Sequence, residues 1–163
     1  MTGKIMIRSL ALAGLLLLAA CAGPEVSTPG LSYPPTEKVE AVFQRTQVPE
    51  QCRVFAQLFT TLPAGYSGRQ FVEVLSAEAG SRGADMILIG QSRQCPDEAE
   101  MAFTYFGPDR EYKIKEWPGW NYGFEEWQKQ GDWANIGFDE WGNDSVRFDF
   151  PVVMQVVFLR CRP

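Results

Sequence analysis

The sequence predicts an α+β domain: a small mixed or antiparallel sheet, one capped helix packed on it, and a Trp-rich insertion before the last strand. Three observations carry this prediction. Apolar runs of strand length occur at 53–61, 86–89 and 152–160. Between the first two lies a single amphipathic stretch with a helix-start signal at Ser67. Before the last run, residues 96–149 change character and hold all five tryptophans.

The elements follow in order. Val39, Ala41 and Phe43 alternate with polar neighbours, the period of a half-buried strand. Pro49 interrupts, and Arg53 to Thr61 is rich in Val, Phe, Leu and Thr, a second strand. Ser67-Gly68-Arg69-Gln70 has capping-box form, which satisfies two otherwise free N–H groups at a helix start. The helix is expected to run to about Ser81. Phe71, Val74, Leu75 and Ala79 share one face, and Gly80 and Gly83 supply the stop. Met86-Ile87-Leu88-Ile89 is continuously apolar, as in a strand covered on both faces. A strand–helix–strand unit implies a parallel crossover. Met101–Phe106 and Glu111–Trp117 alternate around Gly107-Pro108-Asp109-Arg110, which predicts a β-hairpin. Val152–Arg160 closes the sheet, with Pro151 where a missing N–H is tolerated.

The start of the chain has another pattern. Lys4 and Arg8 precede an apolar run from Leu10 to Ala20, about half the roughly 20 residues a membrane-spanning helix needs. This is the layout of a secretory signal over residues 1–20. Leu18-Ala19-Ala20-Cys21 resembles the lipobox of bacterial lipoproteins. The resemblance implies cleavage before Cys21, lipid on its sulfur and acylation of the new N-terminus. Ala22 rather than Asp follows, which by the same analogy implies the outer membrane, on its periplasmic face. Residues 22–36 contain Pro24, Pro29, Gly30, Pro34 and Pro35, so 21–36 is expected to be the lipidated cysteine and an extended tether. The alternative is an arm packed on the domain that occupies 37–163.

Composition narrows the function classes. Removal of the signal takes the net charge from −5 to −7. A net acidic chain is a poor nucleic-acid binder, because that affinity comes mainly from Lys and Arg on phosphates. There is no histidine, hence neither the commonest general base nor the commonest transition-metal ligand. The expected protein is not an enzyme and carries no cofactor or metal.

A second resemblance covers about residues 37–95 and 150–161. It rests on Val39 to Phe43, Cys52 at the start of a strand, the capped helix, Arg82-Gly83-Ala84-Asp85-Met86-Ile87-Leu88-Ile89, and the closing Phe158-Leu159-Arg160-Cys161. In that order they resemble a group of small enterobacterial outer-membrane lipoproteins and, more distantly, the Rcs envelope-stress sensor lipoprotein. Ala56 stands where that group usually has glycine, and residues 96–149 are longer and richer in Trp. The resemblance implies an envelope location and a role in envelope integrity or stress sensing.

With Cys21 assigned to lipid, Cys52, Cys95 and Cys161 remain. If the strands at 53 and 86 run parallel and the last runs against them, Cys161 approaches Cys52. That favours a Cys52–Cys161 disulfide, with Cys52–Cys95 the rival. Cys95 is then an unused thiol, since no histidine stands by to activate it.

The insertion holds the main functional candidates. Asn121-Tyr122-Gly123-Phe124-Glu125-Glu126-Trp127 recurs 14 residues later as Asn135-Ile136-Gly137-Phe138-Asp139-Glu140-Trp141, identical at five of seven positions. Two copies are too few for a solenoid. Residues 96–149 carry 13 of the 20 acids and 5 bases, a net of −8. Acidity and indoles are therefore concentrated together. Trp120, Phe124, Glu126, Trp127, Trp133, Phe138, Glu140 and Trp141 are the candidate partner-binding residues. Trp is enriched at binding hot spots, and these residues suit an envelope protein partner. They also suit peptidoglycan, whose sugars could stack on indoles and hydrogen-bond to carboxylates. Equally, the indoles could form the insertion's own core. Asp139, Glu140, Asn143 and Asp144 offer calcium-type oxygens but not the spacing of a calcium loop. A glycosidase using Glu126 and Glu140 would need carboxyls about 5–9.5 Å apart, a distance the sequence does not supply.

Overall fold

A computed structural model describes residues 30–96 and 100–162. The expected signal, Cys21 and the first part of the expected tether lie outside these residues. The described chain is mixed α+β. Its elements are β1 (Glu40–Val42), β2 (Arg53–Leu62), α1 (Gly68–Ser81), β3 (Met86–Gln94), β4 (Ala102–Gly107), β5 (Tyr112–Lys113), α2 (Phe124–Gln128), β6 (Trp133–Ala134) and β7 (Val152–Arg160). The sheet order is β1–β3–β7–β2–β4, with β5 paired to β2 and β6 to β3.

The most buried strand is β7. It pairs antiparallel with β2 on one side and β3 on the other, so β2 and β3 run parallel to each other across it. Its residues alternate between the two faces, as the strand period of two requires. Val152, Met154, Val156 and Phe158 join the helix-side core, whereas Val153, Val157 and Leu159 belong to clusters on the other face. This double burial is why Val152–Arg160 reads as an unbroken apolar run.

The helix starts as the sequence predicts. Ser67 Oγ accepts from the Gln70 N–H, and Gln70 Oε1 accepts from the Ser67 N–H. Phe71, Leu75 and Ala79 pack on Ile87, Ile89, Met154 and Phe158. Gly83, at φ +84°, lets the chain leave the helix and enter β3.

Cys52 and Cys161 form the disulfide, tying the start of β2 to the end of β7. Beside it the Asp85 carboxylate accepts from the Cys161 N–H at 2.8 Å and the Arg162 N–H at 3.1 Å.

Three expectations need correction. The segment Met101–Phe106 and Glu111–Trp117 is not a hairpin. Both β4 and β5 pair antiparallel with the same strand, β2. Gly107, at φ +121°, starts a loop-out over 108–111 that returns to the edge it left. The Gly-Pro-Asp-Arg sequence marks a bend, and the unpaired edge of β2 captures both flanks.

The tether reading fails over residues 30–36. The Tyr33 N–H donates to the Arg82 carbonyl and the Thr36 N–H to the Gly80 carbonyl. The Tyr33 ring sits edge-on to Phe55 at 5.1 Å with Arg160 over its face, and its hydroxyl bonds Glu111. Leu31 and Tyr33 supply apolar surface that the proline-rich composition conceals.

Finally, Cys95 is not an unused thiol, since none of the described cysteines is free.

Candidate functional site

The Trp-rich insertion is not an appendage. It forms the second layer of the fold and then wraps an edge to reach the first. Ile114, Trp117 and Trp120 pack on Val54, Leu88, Val157 and Leu159, across the sheet from α1. Trp127 continues this layer against Phe59 and Val153. The chain then passes along β6 at the outer edge of β3. Beyond β6, Ile136, Trp141 and Phe148 pack into the α1-side core.

The repeat is structural as well as sequential. In each copy the Trp N–H donates to the glycine carbonyl four residues back, Trp127 to Gly123 at 2.9 Å and Trp141 to Gly137 at 3.0 Å. Each copy is thus one helical turn. In both, Trp packs inward and Phe faces solvent. Trp127 is 3% exposed and Trp141 half-buried against Phe43, whereas Phe124 and Phe138 are 52% and 83% exposed. The two turns pack on opposite faces of the sheet.

That separation decides which candidates meet. Trp120, Phe124, Glu126 and Trp127 belong to the turn on the face away from α1; Phe138, Glu140 and Trp141 belong to the turn on the α1 side. Glu126 and Glu140 therefore do not face each other across one site. Glu140 is engaged in its own turn, accepting from the Gly137 N–H at 2.8 Å and from Asn135 Nδ2 at 3.3 Å. Of the calcium-type oxygens, Asp144 Oδ1 accepts from Ser67 Oγ and Asn143 Oδ1 from the Ser145 N–H, while Asn143 Nδ2 donates to the Asp139 backbone carbonyl. The Ser67–Asp144 bond fastens the second turn to the N-terminus of α1.

Trp133 is the exposed indole, at 58%. It lies opposite Arg93 in the β3–β6 pair. The Arg93 guanidinium stacks 4.3 Å from the Trp133 ring and 5.1 Å from the Trp127 ring, and Nη1 donates to the Trp127 carbonyl. A cation between two indoles is attracted by both ring faces. Trp133 is thereby backed on one face and open on the other.

Beside it, a cleft of about 400 Å³ is lined by Gly90, Gln91, Ser92, Trp133, Ala134, Asn135 and Ile136. It exists because the edge of β3 is only partly covered. β1 ends opposite Leu88, and β6 covers only Ser92 and Arg93, ending at Ala134 opposite Ser92. The β3–β7 register also shifts between Ile89 and Ser92. Gly90 is required here. A Cβ on it would fall 2.6 Å from the Trp120 ring and 2.9 Å from Gln155 Cβ, so Trp120 can close over the strand only against glycine.

One signal in the sequence points to this site: Gly90 interrupts an apolar strand, a mark of close approach. The Arg93–Trp133 pair has no local signal, since 40 positions separate the two residues.

Among the described residues no helix is long and apolar enough to cross a membrane. Comparison with protein-family models, curated proteins and solved structures found no match. The resemblance to the enterobacterial lipoproteins thus rests on the residues named above.

Proposed function

We propose that this chain is a non-catalytic, lipid-anchored envelope protein that binds an envelope component through the edge of its sheet around Trp133. The observation that carries the binding role is the division of the aromatics. Trp117 and Trp127 are buried in the core, while Trp133 stacks on Arg93 and is 58% exposed. A pre-positioned aromatic beside a cleft loses little conformational freedom on binding.

The anchor is supported by Leu18-Ala19-Ala20-Cys21. Acyl chains contribute about 0.8 kcal/mol per buried CH₂, so two or three make a stable attachment. Since Gly30 already lies beside Ala56, only eight residues, or nine Cα–Cα steps, separate it from Cys21. At about 3.3 Å each they span at most ~30 Å. Anchored this way, the domain works close to the membrane, on the periplasmic face of the outer membrane by the Ala22 analogy.

Two measurements test this. Cys21→Ser should move the protein from the membrane to the soluble periplasmic fraction; retention on membranes after a salt wash would refute the anchor. A photo-crosslinking residue at position 133 should capture a defined envelope component in intact cells. The same residue at position 138, on the opposite turn, should not. Equal capture from both positions would refute the assignment of the binding surface.

A further inference from the structure

The sheet has one long open edge, on the side away from Trp133. β4 is the last strand in the order β1–β3–β7–β2–β4 and pairs only with β2. No turn or loop among the described residues hydrogen-bonds to the backbone of 102–107. Its outer row of N–H and C=O groups therefore faces no strand. Such a row is a template for another strand, and edges are usually blunted by charge, proline or shortness. The opposite edge is blunted. There β1 is three residues long and starts at Glu40, and β6 is two. β4 is Ala-Phe-Thr-Tyr-Phe-Gly, six residues without a charge or a proline. Ala102 is exposed, and Phe103, Thr104 and Phe106 are half-buried. Exposed Met101 extends the apolar surface at its start.

The occupant follows from the strand and from where the chain enters the domain. An uncharged strand offers no ionic selectivity to a charged partner segment. Paired antiparallel about a two-fold axis, it is complementary to itself. Such an axis stands normal to the sheet and leaves the α1 faces of both copies on the same side. The chain enters on that face. Gly30 lies beside Ala56, and Leu31 and Tyr33 join the α1-side core. Eight residues separate Gly30 from Cys21, so the two lipid anchors reach one bilayer. Confinement there supplies an effective concentration on the order of mM, which a short edge pairing needs. Symmetry also limits the register. An axis normal to the sheet puts a central residue opposite its own copy. With Phe103 or Thr104 at the centre, the pairing stays clear of Gly107, which at φ +121° has left the strand conformation. In either register, positions 102 and 104 put side chains opposite 102, 104 or 106 of the second copy.

We propose that β4 pairs antiparallel with β4 of a second copy of this chain, joining two sheets into one across a two-fold axis normal to the membrane. The Trp133 edge stays free on both copies. The open edge of β4 stands without the anchor; the choice of a second copy rests on the lipid reading of Cys21.

The test is photo-crosslinking of the full chain in intact cells, with the reactive residue at position 101. The expected product has twice the mass of the chain, and its linked peptides both come from the β4 segment. The same residue at position 138 should give no such product. Ala102→Lys/Thr104→Lys sets like charges opposite each other and should lower the yield about fivefold. Ala102→Glu/Thr104→Glu should do the same. Co-expressing the two variants should restore the yield, because opposite charges then face each other; a misfolded variant would not be rescued this way. The proposal is overturned by the absence of a two-copy product, by a product with a different protein in its place, or by an unchanged yield in the lysine variant. A two-copy product from a chain whose Cys21→Ser variant stays on membranes would keep the pairing and remove the anchor. No product from a chain that Cys21→Ser does release would remove the pairing and keep the anchor.

Discussion

Replacing Trp127 by Ala should destabilise the protein by about 4 kcal/mol, more than any other aromatic truncation in the repeat. Trp127 is 3% exposed and packs its ring 5.7 Å from Phe59 and 6.1 Å from Trp133, with Arg93 over one face. A buried Trp removes about 150–250 Å² from water, which at about 25 cal/mol per Å² corresponds to roughly 4–6 kcal/mol. That is an upper bound, because unfolded chains already bury some of this surface. Trp141 is half-buried, so Trp141→Ala should cost about half as much. Phe138 is 83% exposed, and Phe138→Ala should fall within about 0.5 kcal/mol of the parent. Urea denaturation followed by far-ultraviolet circular dichroism measures all three without relying on the indole signal. A cost below about 1 kcal/mol for Trp127→Ala would refute the reasoning. It would mean that the insertion rests on the sheet without being part of its core.

Other expectations follow from the same contacts. Opening the Cys52–Cys161 disulfide, which spans 109 positions, should destabilise the fold by about 4–5 kcal/mol on the loop-entropy relation. Comparing urea midpoints of the parent and the Cys52→Ser/Cys161→Ser double variant tests this, and equal midpoints would contradict it. Gly90→Ala should cost about 1–3 kcal/mol by forcing Trp120 off the strand; a neutral effect would show that Trp120 is not fixed there. Stability should also fall in alkali. Burial, then the bond to Glu111, pushes the Tyr33 hydroxyl up to about 12, and burial followed by Glu78 raises Tyr105 as well. Unfolded tyrosines ionise near 10, so above that pH the unfolded state binds fewer protons than the folded state. The Tyr33 contribution is complete below pH 10 and is lost as the pH rises toward about 12. Urea midpoints across that window should decline, and less steeply in Tyr33→Phe; equal slopes would contradict the arm contact.

What the sequence made legible was what depends on local pattern. The Ser67–Gln70 capping box is a four-residue signal, and the apolar run from Val152 follows directly from burial on both faces. The Cys52–Cys161 bridge was reachable because strand directions bring the two ends together. The rest depends on choices made across the fold. Gly107-Pro108-Asp109-Arg110 gives the same turn signal whether its flanks pair with each other or both pair with β2. Leu31 and Tyr33 sit among prolines, and only the groove that receives them makes an arm of a segment resembling a linker. The repeat was visible as letters. That its two Trp residues pack on opposite faces follows from β6 turning the sheet edge, and β6 is only two residues long. Trp133 lies outside the repeat, so its open face became apparent only with Arg93 in place behind it.

The central claim is a sheet domain held at the membrane by lipid on one cysteine. Mass spectrometry of the N-terminal peptide, from protein extracted from its native membrane, tests it most directly. The account predicts a chain beginning at Cys21, with a diacylglyceryl thioether on the sulfur and an acylated amine. A sulfur in a thioether is not available for a disulfide. Recovery of residues 1–20 still attached, or of Cys21 joined by a disulfide to Cys95, would contradict the anchor.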